Sequence, residues 1–251
     1  MTADLFAAIY ADPDDDAPRH VLADAFSDRG DPRGEFMSLQ LARGRSDVRI
    51  ARELELQQAH AADWLGALAA VIDVRRSRFE RGFLSQAVIV PNTKKQLRKL
   101  AREPGWATVE RFVHGVPPQL LDRANFAALR AIDVNRGEFG RLSRRGDVLA
   151  RVDELKLSHS VELSDLARVF PNLRRVHLRY EPKSVELAAL AAIGVRELAI
   201  ERVAFYEYGA PPDYGELIEA LCEGRSPFER VAVGDLQLRR DDDGMLRQRV
   251  A

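Results

Sequence analysis

One short phrase recurs along this chain: an apolar residue, two free positions, a second apolar residue, one free position, a third apolar residue. Clear copies are Leu129-Ile132-Val134, Val152-Leu155-Leu157, Leu173-Val176-Leu178, Val195-Leu198-Ile200 and Phe228-Val231-Val233. A weaker copy, Leu84-Ala87-Ile89, and a partial one, Val109-Phe112-His114, precede them. Each phrase predicts a short strand whose apolar side chains point to one face. One such strand cannot bury that face alone, so neighbours must stack into a parallel sheet, with the intervening segments returning along its other side.

The first positions fall at 84, 109, 129, 152, 173, 195 and 228, at intervals of 25, 20, 23, 21, 22 and 33. All but the last lie in the range of leucine-rich repeats. The expected fold is therefore an α/β solenoid: a leucine-rich-repeat-like parallel sheet with return helices, preceded by an N-terminal helical cap. The division expected is 1–77 for the cap and 78–251 for the solenoid. Return helices are predicted over Thr93–Arg102 and Ser184–Ile193, and after an Asp213-to-Glu216 capping box that leads to Leu217, Ile218 and Leu221. Arg136 to Gly146, with three glycines, reads as an irregular return. Standard repeats carry Asn or Cys at the ninth position. Here four of the clean copies have Gly137, Ser160, Glu181 and Val203 there, and only the weak first copy offers Asn92. A less regular, variably curved stack is expected.

The N-terminal stretch predicts short helices. Leu5, Phe6 and Ile9 make one apolar stripe; Val21, Leu22, Ala25 and Phe26 make a second, with Asp16 as N-cap, Pro18 in the first turn and Gly30 as terminator. Asp31-Pro32 starts a third, and a longer helix is expected from about Asp47 to Val71. Asp12, Asp14 and Asp16 alternate like calcium ligands, but Ala17 and Ala23 stand where such a loop needs glycine and glutamate. The run Ala7 to Arg19, then Leu22-Ala23-Asp24, then Arg29-Gly30-Asp31-Pro32-Arg33-Gly34-Glu35-Phe36, resembles the bacterial repeat-companion domain, a short module found ahead of leucine-rich-repeat-like regions. Arg78-Phe79-Glu80-Arg81-Gly82-Phe83 resembles the segment by which such proteins enter their repeats. The resemblance implies the architecture and carries no biochemical activity with it. Asp24, Arg33 and Glu35, which match its motif, are expected to make caps and ion pairs between helices.

A formal net charge of −1 gives no global attraction to nucleic acid or anionic membranes. The single cysteine, Cys222, excludes an internal disulfide and reads as a small buried hydrophobe. No apolar run reaches the ~18 residues of a membrane span, and no basic-then-apolar leader opens the chain. A cytoplasmic location is expected. The histidines have no ligand spacing, and neither a phosphate loop nor a nucleophile elbow occurs. No cofactor, metal or catalytic residue is expected, and the chain reads as a non-enzyme.

The free positions of the phrases should form a concave binding face. Candidate partner-binding residues are Lys156, the basic rung Arg175, His177 and Arg179 with Tyr180, then Glu197. The long interval before the last phrase adds an aromatic loop, Phe205, Tyr206, Tyr208 and Tyr214. The expected function is a non-enzymatic protein–protein interaction module, including the case of an inhibitor or immunity-type protein. The competing function is nucleic-acid binding through Arg174–Arg179, with Arg75, Arg76, Arg78 and Arg81. The mixed signs favour a protein partner over nucleic acid.

Overall fold

The computed structural model describes residues 2–42, 44, 46–91, 93–113, 115–121, 125–180, 182–201, 215–222 and 226–248. Among them are ten strands and ten α-helices, and the strands pair mostly in parallel. The chain divides into two compact units, Met1–Arg130 and Ala131–Ala251. The boundary expected at 77/78 falls inside the first of them.

The first unit opens with four helices: α1 (Thr2–Ala11), α2 (Ala17–Ser27), α3 (Pro32–Leu41) and α4 (Asp47–Leu65). Pro18 lies in the first turn of α2, and Gly30, at φ +69°, turns the chain out after it. Asp31 caps α3 by accepting the Arg33 N–H at 2.9 Å. Asp16 holds the N-cap position of α2 without a side-chain capping bond, while Asp15 accepts the Ala17 N–H instead. Helix α4 stops earlier than its periodicity predicts. Gly66 takes φ +54°, and a 3₁₀ turn, Gly66–Ala70, follows. Ile9, Leu22, Ala23, Phe26 and Met37 form the core of this unit with Phe83.

Strands β1 (Arg78–Glu80) and β2 (Phe83–Ala87) form a hairpin, and β2 pairs in parallel with β3 (Arg111–Phe112). The hairpin turn places Arg81 and Gly82 at φ +52° and +84°. Both central residues of a tight two-residue turn need positive φ to match strand twist, and a non-glycine residue there is strained. Arg81 is held by Asp16 at 3.3 Å and Glu110 at 2.9 Å. Helices α5 (Lys94–Leu100) and α6 (Pro118–Leu121) complete the unit.

The second unit alternates strand and helix: β4 (Ala131–Val134), α7 (Arg136–Arg145), β5 (Glu154–Leu157), α8 (Leu163–Val169), β6 (Arg175–Leu178), α9 (Ser184–Ala192), β7 (Glu197–Ile200), α10 (Gly215–Cys222) and β8 (Arg230–Val233). The five strands pair in parallel and in register. Ile132, Leu155, Val176, Leu198 and Val231 form one ladder, and Val134, Leu157, Leu178, Ile200 and Val233 the next. All ten are at most 3% exposed. The second and third positions of every clean phrase are thus the buried rungs. Glu186 of α9 reaches back to accept the Lys183 N–H at 2.8 Å.

Two segments differ from expectation. Arg136–Arg145 is a regular helix, because Asn135 and Glu138 close a full capping box and Gly146, at φ +74°, terminates it. Arg239-Arg240-Asp241-Asp242-Asp243, a charge run that by sequence alone reads as a solvated tail, belongs to an antiparallel meander of β8, β9 (Leu236–Arg240) and β10 (Leu246–Gln248). The turn Asp241–Gly244 joins β9 to β10, with Leu238 and Leu246 buried on one side. Asn92, Glu181, Val203 and the Asp213 capping box lie outside the described residues.

Two substitutions test this packing. A Cβ on Gly34 would sit 2.5 Å from the Ser27 nitrogen and 2.8 Å from the Ala23 carbonyl oxygen. Gly34→Ala must therefore force α2 and α3 apart and is expected to lower stability by about 1–3 kcal/mol, read by denaturant unfolding. Asn135→Ala removes the α7 cap and is expected to cost about 1 kcal/mol in the same measurement.

Candidate functional site

Strands β4 to β9 of the second unit present two rows of outward side chains. The register that buries the apolar rungs dictates these rows, because alternate residues of a strand face opposite ways. One row runs Ala131, Glu154, Arg175, Glu197, Arg230, Arg239. The second row runs Asp133, Lys156, His177, Ala199, Ala232, Gln237. Beyond the strand ends, the ladder continues through the N–H groups of Arg179, Glu201 and Gly234.

Opposite charges alternate across neighbouring strands and pair. Arg175 meets Asp153 at 3.0 Å and Glu154 at 3.6 Å, and His177 Nε2 lies 3.6 Å from Glu154. Arg179 binds Glu201 at 3.0 Å and approaches Asp133 at 3.9 Å, and Lys156 donates to the same Glu201. Arg230 donates to Glu197, and Glu229 receives Arg196 at 2.8 Å and Arg240 at 3.7 Å. Each pair is partly solvated and worth little singly, but a connected set holds its side chains in place. Glu154, expected on the open face, is buried between Arg175 and His177. Ala199 and Ala232, adjacent in the second row, interrupt the charges with a strip of small side chains.

Of the expected binding residues, Lys156, Arg175, His177, Arg179 and Glu197 therefore share this lattice. Tyr180 does not join it. Its hydroxyl is hydrogen-bonded with Glu186 and Ser160, and burial, reinforced by Glu186, raises its pKa above the ordinary phenol value. Phe205, Tyr206, Tyr208 and Tyr214 lie outside the described residues. The alanine strip and the pairing were missed because side-chain type at single positions says nothing of its cross-strand partner until the register is known.

In the first unit, the motif residues have distinct roles. Glu35 forms a two-pronged ion pair with Arg52, both bonds 2.7 Å, and Asp24 is exposed. Arg33 is buried, donates to the Gly82 carbonyl at 3.1 Å and lies 4.8 Å from the centroid of the Phe83 ring. Burial lowers its pKa to about 10. Arg19, 1% exposed, donates to the carbonyls of Pro13 and Asp15 at 2.7 and 2.9 Å. It too is lowered to about 10, first by burial and then by Arg81. The acidic run is thus folded around Arg19, with Asp14 paired to Arg130 at 2.7 Å and Asp16 to Arg81. Arg33 was expected to cap or pair; it is held by a carbonyl and aromatic rings instead.

Among the described residues, no group of three or more His, Cys, Asp or Glu side chains is placed to hold a metal ion. Cys222 is half-buried, and burial pushes its thiol pKa up, away from the reactive thiolate. No described helix is long and apolar enough to cross a membrane. No protein family, curated protein or solved structure matches the chain.

The lattice has a titration signature at Glu201. Burial raises its pKa, but hydrogen bonds from Lys156 and Arg179 outweigh that and hold the carboxyl below its usual range. Its folded pKa is below the unfolded one. The pairs therefore stabilise the fold above the ordinary carboxylate range and are lost as pH falls through the folded value. Carbon-detected NMR titration is expected to place the Glu201 midpoint below that of an ordinary glutamate, and to move it upward in Arg179→Gln.

Proposed function

We propose that this chain is a non-enzymatic protein-interaction module: a leucine-rich-repeat-like solenoid behind a repeat-companion-type helical cap. It binds a folded partner protein through the outward face of β4 to β9 and works in the cytoplasm. One observation carries this reading. Parallel sheets are normally covered on both faces, yet here Lys156, His177, Arg179 and Arg230 stand 26, 37, 46 and 64% exposed on one face of a parallel sheet. A sheet left open on one side, with its charges already held by their neighbours, loses little side-chain freedom when a partner docks. The strip over Ala199 and Ala232 gives an anchoring side chain room among fixed charges, which is the usual place of an interface hot spot.

The lattice disfavours the nucleic-acid reading. Arg175 and Arg179, its central cations, each hold a carboxylate within 3.0 Å, which a phosphate would have to displace. An alternating mosaic instead selects a partner carrying the complementary pattern. Occlusion of a toxin or enzyme by such a face is the inhibitor case of the same function. The aromatic residues Phe205 to Tyr214 follow Glu201 in the chain, and we include them in the proposed surface.

Immobilised protein cross-linked in native lysate tests the proposal, with Ala199→Arg and Lys156→Glu as paired variants. The expected result is a protein retained by the wild-type chain and lost from both variants, each of which still unfolds cooperatively. Identical retention by all three would refute the proposed face. Salt-steep retention of DNA or RNA would refute the choice of partner.

A further inference from the structure

Helices α7 and α8, with the segment before α8, enclose a cleft of about 430 Å³ on the helical side of the second unit. This volume lies in the range of small-molecule sites. Its α7 wall is built on Arg136, Gly140 and Arg144, three residues spaced four apart and hence on one helical face. Helical side chains lean toward the N-terminus. Arg144 does so: its Nη1 lies 3.4 Å from where a Cβ on Gly140 would stand. The glycine lets this guanidinium fold back into the cleft, whose α7 wall also carries Arg136 about two turns nearer the N-terminus. Among the described residues neither arginine has an ion-pair partner.

The opposite wall is made of acceptors. Glu162 lines it without a cationic partner among the described residues. Ser160 also lines it, and its hydroxyl proton is committed to Glu186 at 2.5 Å. A hydroxyl whose proton is engaged offers only lone pairs to what approaches it. Asp165, at the same wall, is already engaged by Arg168 at 3.2 Å and by Ser143. The groups without an ion-pair partner among the described residues are therefore guanidiniums on one side and the Glu162 carboxylate on the other, beside a Ser160 hydroxyl already engaged by Glu186 and Tyr180.

We infer that this cleft binds a small zwitterion, with its carboxylate on Arg144 and its ammonium on Glu162. A short peptide with both termini free has this chemistry. The inference is independent of the strand face, since no residue of the cleft belongs to the lattice proposed to bind a protein.

Trialanine, N-acetyl-trialanine and trialanine amide are the probes, titrated into the full chain while the Gly140 and Ser160 amide resonances are followed by NMR. Trialanine is expected to shift both saturably. Removing either terminal charge, or introducing Arg144→Gln, is expected to weaken binding roughly tenfold or more. Glu162→Gln is expected to weaken trialanine while leaving the weak binding of N-acetyl-trialanine unchanged. Both substituted side chains, Arg144 and Glu162, are exposed, so folding survives and the spectra remain readable. The inference is overturned if trialanine shifts neither amide up to its solubility limit, if the three peptides bind equally, or if Arg144→Gln binds as tightly as the wild type.

Discussion

The second unit depends on one constraint: the second and third apolar positions of each phrase must fall opposite their counterparts on the next strand. A slip of one strand by a single residue would turn both of its buried rungs outward and bring its charged side chains into the core. Burying one such aliphatic side chain is worth about 1.5–3 kcal/mol, so no plausible set of surface ion pairs could compensate. Everything on the open face inherits its position from this. The pairs Arg175–Glu154, Arg230–Glu197 and Lys156–Glu201 form because burial has already aligned the strands that carry them.

The two units handle charge in different ways. In the second, cations meet carboxylates in partly solvated pairs that cost little to form and add little apiece. In the first, Arg19 and Arg33 are withdrawn from water and satisfied chiefly by carbonyl oxygens and aromatic faces. A guanidinium is the cation suited to this, being planar, weakly hydrated and able to stack. Their Nε atoms have no hydrogen-bond partner, which marks this packing as tight but imperfectly matched. The acidic run before α2 serves the same end, wrapping its own carbonyls around Arg19 while its side chains reach Arg81 and Arg130.

Much of the architecture was legible in the residues, because it rests on periodicity. The phrase positions located β4 to β8, and Gly30 and Asp31-Pro32 located the join of α2 to α3. What escaped depended on local chemistry that was visible but differently weighed. Three glycines made Arg136–Gly146 look irregular, although Asn135 and Glu138 stand at capping-box spacing and Gly146 at a natural stop. Leu236 and Leu238 alternate ahead of an Asp-Gly turn, which is a hairpin signal, yet the five charged residues between them and Met245 suggested a tail. The candidate surface was legible only as a set of residue types. Which carboxylate each arginine would hold, and that Tyr180 would turn away to Glu186, follows from the register and from the path of the returns. No pattern within a single phrase contains that information.

The antiparallel meander at the C-terminal end of the second unit has a consequence for self-association. A parallel stack of near-identical strands is a template that would accept a further strand from another molecule. Here the run of parallel partners stops at β8, and the reversal into β9 and β10 presents a three-residue terminal strand whose Arg247 is tied to Asp241 and Asp243. Short, charged borders of this kind resist strand addition. The same repetition that builds the unit would otherwise invite fibre growth, and a reversed, charged border opposes it.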